Sequence, residues 1–246
     1  MRIDTQAQRV IWSASDLKAA AECEFAWARA IDAKLGRVPK VEEPEDATLA
    51  RAAKLGDVHE VRVLESYRER FGADAVHEVS KVSSADASSL AAVVEESLAA
   101  LRSDARVVFQ AAFSTEEFVG FADFLLREDD GRWRVQDSKL ARTARVTALM
   151  QLAAYVDQLD GLGIPRSDEV DLILGDGTIS THAVDDLLPL FHVRRAACAP
   201  SSRIGGFKTV QPGRRWRGAT IGVTSTSPRA ADARRAPSRS THPVTC

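Results

Sequence analysis

Apolar residues recur at helical spacing through the first hundred positions of this chain, and the pattern then changes to strict alternation. Leu17, Ala21, Phe25 and Ala28, with Trp27 and Ile31 beside them, predict one helix from a Ser13 or Ser15 cap to about Leu35, closed by Gly36. An acidic loop with Pro39 and Pro44 follows. A second stripe, Ala52, Leu55, His59, Val63 and Tyr67, predicts a helix over 48–71. Residues 75–82 read as a strand, and Leu90, Val94, Leu98 and Leu101 as a helix over 88–101.

From Val107 the period falls to two. Residues 107–113, 118–127 and 132–139 predict three consecutive strands in a meander, the last two joined by a turn at Asp129-Asp130-Gly131. Leu149, Leu152, Ala153 and Val156 predict a helix over 147–159. A strand over 169–174 should turn at Gly175-Asp176-Gly177 into a second over 178–183. A last helix begins near Asp185, with Pro189 expected only in its first turn. Beyond Cys198 the periodicity stops, so 1–198 is read as one folded domain.

Composition narrows the class. The 246 residues are 45% hydrophobic and 28% charged, which suits a globular chain. No apolar run reaches the ~18 residues that would span a bilayer, and no signal-peptide pattern opens the sequence. The expectation is a cytoplasmic protein with no membrane partner. Cys23, Cys198 and Cys246 are too far apart for a zinc motif and odd in number, so each is expected to be a buried or incidental residue.

The net charge of −2 conceals an asymmetry, since residues 199–246 hold nine Lys or Arg against the single acid Asp232. The rest of the chain is acidic, with 24 basic and 34 acidic residues, and is no broad platform for nucleic acid. The tail is rich in Ser, Thr, Pro, Gly and Arg and is expected to carry no ordered structure. It reads either as a basic arm or, preferably, as an ending foreign to the domain, for instance after a change of reading frame.

The chemistry gathers between Glu117 and Tyr155. Strand periodicity puts Asp137 and Lys139 on one face, the face that also carries Trp133 and Val135. Charges on an inward face are costly unless something compensates them. A metal ion between Asp123 and Asp137 would do so. Trp133 is better read as core than as a platform for stacking bases. Arg142 and Arg145 are equally readable as phosphate contacts or as a solvated helix start.

Gly120-Phe-Ala-Asp123, Asp137-Ser-Lys139 and Gln151-Leu-Ala-Ala-Tyr155, set on an αβββαβ order of elements, resemble the RecB-like branch of the PD-(D/E)XK nuclease superfamily. The resemblance spans about residues 10–195 and rests on the ordered set, since no single motif is specific. It implies a restriction-endonuclease-like α/β (α+β) fold, with a central mixed sheet flanked by helices. It further implies Asp123 and Asp137 as ligands of Mg²⁺ or Mn²⁺, and Lys139 as the lysine that orients or activates the attacking water and balances charge at the phosphate. Gln151 and Tyr155 would support the site and the DNA. His59, in Gly56-Asp-Val-His59, would supply a further ligand. The four-cysteine iron–sulfur cluster of some relatives is not expected, because no C-x-x-C group follows Cys198.

These residue types suit phosphodiester hydrolysis. Attack adds charge to an anion; hard oxygen ligands hold an ion that offsets it, and a fixed lysine stabilises the pentavalent centre. The expected function is thus a metal-dependent deoxyribonuclease, exonucleolytic, in DNA repair or processing. The alternative is a catalytically silent nucleic-acid-binding or scaffold domain that works with a helicase.

Overall fold

The structure, a computed structural model, describes residues 1–4, 9–41, 46–82 and 87–202. All of them fall within one compact unit, Met1–Phe207. The tail from residue 203 onward lies outside the described residues, and so does the expectation of disorder there.

A six-stranded mixed sheet forms the centre, with strands in the order β3-β4-β5-β6-β7-β8. Its strands are β3 (Val76–Glu78), β4 (Val107–Ser114), β5 (Val119–Arg127), β6 (Trp133–Lys139), β7 (Glu169–Leu174) and β8 (Ile179–Ala183). The β4-β5-β6 meander is antiparallel as its short turns require, whereas β3 pairs with β4, and β6 with β7, in parallel. The parallel β6–β7 pair needs a crossover, and helix α5 (Val146–Gly161) supplies it. With α3 (Ala47–Phe71) before β4, the order α3, β4, β5, β6, α5, β7 is the expected αβββαβ core. The fold is thus mixed α+β.

Helices cover both faces of the sheet. On one, Val63, Leu64 and Tyr67 of α3 pack against Val107, Phe109, Phe124 and Ile173. On the other, α1 (Ala14–Glu22), α4 (Ala87–Arg102), α5 and α6 (Val184–Ser202) enclose the larger core around Phe113, Phe118, Trp133 and Leu172. Trp133 is core, as expected. Asp46 caps α3, accepting from the Thr48 and Leu49 amides at 2.8 and 3.3 Å, and Gly72 ends the helix at φ 88°.

Three local expectations need correction, and one pair of strands was not expected. The first predicted helix is two, α1 and α2 (Glu24–Lys34), because Cys23 adopts extended backbone (φ −157°, ψ 103°) between them. The break moves Phe25 out to 69% exposure and turns Trp27 and Ile31 inward onto Val10. Cys23 is not incidental either: it is disulfide-bonded. The last helix carries Pro189 at its sixth position and continues to Ser202, past the expected limit of order. Finally, β1 (Arg2–Asp4) and β2 (Arg9–Ile11) form an antiparallel pair whose three-residue strands are too short to show a period.

Candidate active site

β5 and β6 stay paired from Arg127↔Trp133 to Phe124↔Gln136 and then part. Asp123 and Asp137 occupy the next position on each strand, so they face one another where the sheet opens. At that step the Ser138 amide donates not to a β5 carbonyl but to the Asp123 carboxylate, at 3.1 Å. The Asp123 carboxylate lies near enough for its charge to act on Asp137. On its far side β6 continues beside β7, with Asp137↔Leu172 and Lys139↔Leu174 in register, which anchors one half of the site rigidly.

Asp137 is buried, at 1% exposure. Burial and then the charge of Asp123 push its carboxyl well above the usual carboxylate range, against the pull of Lys139. Lys139 Nζ donates to Asp137 Oδ1 at 2.8 Å and lies 2.6 Å from Oδ2. Only the first contact has hydrogen-bond geometry, so Oδ2 is buried without a hydrogen-bond partner. Burial alone would lower the Lys139 ammonium, but Asp137, Asp123 and Glu60 outweigh it and hold its pKa above the ordinary 10.5. Lys139 therefore stays a cation at neutral pH.

Tyr155 fixes the other side. Its hydroxyl donates to the Phe121 carbonyl at 2.6 Å, tying α5 to β5 two residues before Asp123. Burial drives the phenol pKa upward, Asp123 and Asp137 add to this, and a hydrogen bond with Gln151 works against it. Gln151 and Tyr155 stand one above the other on α5, as their spacing predicts. Gly120 is what admits the ring: a Cβ there would lie 2.8 Å from Phe118 Cζ and 3.0 Å from Tyr155 Cε1.

A cleft of about 320 Å³ opens at Lys139 and is lined also by Thr143, Arg145, Thr147 and Gln151 among others, though by neither acid. Arg145 is the residue before the first turn of α5, so it sets a cation at the positive end of a helix. That pairing favours an anion in the cleft. Arg142 does not line it; this exposed residue lies instead where its charge is felt by Asp176. Gly175 lets β7 end close against the residue after Lys139, because a Cβ there would collide with the Leu140 carbonyl.

His59 is not at this point. It is buried on the face of α3 turned to β7, with Nε2 3.2 Å from the Ile173 carbonyl oxygen. Among the described residues no three His, Cys, Asp or Glu side chains gather closely enough to hold a metal ion. The α3 residue that faces the acids is its neighbour Glu60, about 100° further round the helix. Burial and the charge of Asp123 raise the Glu60 carboxyl, and its charge acts in turn on Lys139. Glu60 accepts a short hydrogen bond from Gln110 Nε2 of β4. Sequence reasoning missed both residues: Glu60 lies just off the apolar stripe and so reads as solvated, and Gln110 belongs to no motif.

The donor set suits a hard divalent cation. Asp123 and Asp137 present oxygen ligands, two like charges beside each other, and one buried oxygen without a hydrogen bond. Comparison with known protein families finds no matching family model, and comparison with curated proteins finds no significant match.

Proposed function

We propose that this chain is a metal-dependent nuclease of the RecB-like type that hydrolyses DNA phosphodiester bonds. The observation that carries the reading is the opening between β5 and β6, which brings Asp123 and Asp137 together with Lys139 bonded to one of them. An ordinary ion pair on a sheet would need one carboxylate. Two, one of them buried, repel each other unless a cation lies between them.

On this reading Asp123 and Asp137 hold Mg²⁺ or Mn²⁺. The bound ion supplies charge neutralisation and Lewis acidity at the scissile phosphate. Lys139, charged at neutral pH, contacts the phosphate as it gains charge in the pentavalent state; it acts as a cation and not as a proton acceptor. Arg145 and the start of α5 receive a neighbouring phosphate along the cleft, and Gln151 lines the same wall. Tyr155 holds β5 in place through its bond to Phe121 and stays protonated. Arg142, exposed near Asp176, has no assigned contact. A helicase partner belongs to the alternative, the silent scaffold.

The test is cleavage of end-labelled single- and double-stranded DNA in Mg²⁺, in Mn²⁺ and in EDTA, with Asp137→Ala alongside. Metal-dependent cutting that Asp137→Ala abolishes is expected. Metal-independent binding of DNA without cleavage would favour the silent scaffold.

A further inference from the structure

We infer that Gln110 is a positioning residue that holds Glu60 against Asp123 and so strengthens the binding of a divalent cation at the site. This rests on the metal-site reading above and adds two residues that no motif contains.

The backbone supplies the first observation. Gln110 has φ 57°, and it is the only residue other than glycine with positive φ among those described. A long side chain gains nothing by itself from the left-handed region, so something around it must hold it there. The kink lies opposite Asp123: Phe109↔Phe124 and Ala111↔Ala122 pair on either side, while Gln110 and Asp123 drop out of the β4–β5 register. Freed from the regular ladder, the Gln110 amide reaches α3 and donates to Glu60 Oε1.

The second observation is charge. Glu60 acts on Asp123 and on Lys139, with Asp57 of the same helix behind it. Three carboxylates, Glu60, Asp123 and Asp137, stand against the one ammonium of Lys139, a balance that a divalent ion neutralises. Asp137 Oδ2, which has no hydrogen bond, is met by the Lys139 ammonium alone, at 2.6 Å. Glu60 is not within ligand distance in this arrangement, so it works through its charge and through the orientation of Asp123. Partners that orient ligands in this way typically change metal affinity about 10- to 100-fold when removed.

Mn²⁺ titration of the full chain, followed by electron paramagnetic resonance and calorimetry, tests this without reference to activity. Glu60→Gln and Gln110→Gly should each bind Mn²⁺ about tenfold more weakly than the unaltered chain. Glycine relaxes the positive φ, so Gln110→Gly should keep or raise the melting temperature while it loses metal affinity. A purely structural role would move the two together. Affinities within twofold of the unaltered chain in both variants overturn the inference and leave the metal-site reading standing. Should Gln110→Gly fail to fold, Glu60→Gln on the half-exposed flank of α3 decides alone. An unaltered chain that binds no Mn²⁺ overturns the site reading and the inference with it.

Discussion

Gly120 and Tyr155 meet so closely that a Cβ on the glycine would lie 3.1 Å from the tyrosine hydroxyl oxygen and 3.0 Å from its ring. The glycine of the Gly120-Phe-Ala-Asp123 segment thus has a packing role, and the strand that carries Asp123 is held at the height of α5 by an absent methyl group. Gly120→Ala should push Tyr155 off the Phe121 carbonyl and cost about 1–3 kcal/mol, the range for overpacking a full core. Urea denaturation measures the loss, and cleavage should fall with it because Asp123 follows two residues after Phe121. A variant as stable as the parent would show that the ring has room to move.

On the proposed reading, Lys139 separates catalysis from metal binding. Lys139→Met should bind Mn²⁺ at least as tightly as the parent, since it frees the Asp137 carboxylate, yet cut on the order of a hundredfold more slowly, for a loss of ~3 kcal/mol at the transition state. Asp137→Ala should lose both. Near-normal cleavage by Lys139→Met would leave the lysine as nothing more than an ion-pair partner.

Asp137 sets a pH dependence. Its carboxyl is raised in the fold, so its stabilising contribution is complete below the ordinary value of 3.8 and is lost as pH rises through the folded value. Lys139, raised above 10.5, keeps its own contribution across the neutral range and changes nothing there. Without metal, therefore, the parent should lose stability relative to Asp137→Asn as pH rises above the ordinary carboxylate value of 3.8. Urea midpoints of the two proteins at several pH values give the comparison; parallel curves would contradict the buried, repelled carboxylate.

A metal that binds only the fold should reverse that loss. At a hundred times its dissociation constant an ion adds about 2.7 kcal/mol, visible as a higher melting temperature in Mn²⁺ than in EDTA. Asp123→Asn and Asp137→Asn should each abolish the shift. Persistence of the shift in both variants would place the ion elsewhere.

Arg145→Ala should weaken DNA binding and lower the dependence of affinity on salt by about one counterion, with little change in metal affinity. Arg142→Ala, out of the cleft, serves as the control. Equal effects from the two would mean that the start of α5 contributes only diffuse charge.

The chain by itself determined whatever depends on residues near in sequence. Period two from Val107 to Lys139 sets the meander and places Asp137 and Lys139 on one face with Trp133 and Val135, and four-residue spacing stacks Gln151 and Tyr155 on α5. Neither conclusion needs a distant partner. The tertiary structure alone decided how separate elements turn toward each other. An apolar stripe locates the buried side of α3 only to within a residue or so, and one residue is about 100°. That rotation faces His59 to the Ile173 carbonyl and Glu60 to Asp123. The break at Cys23 needs a single residue in extended backbone, which helical spacing on both sides conceals. Gln110 takes its left-handed turn where the β4–β5 ladder skips a step opposite Asp123. A ladder is a relation between strands, and no pattern along one strand shows where it will lapse.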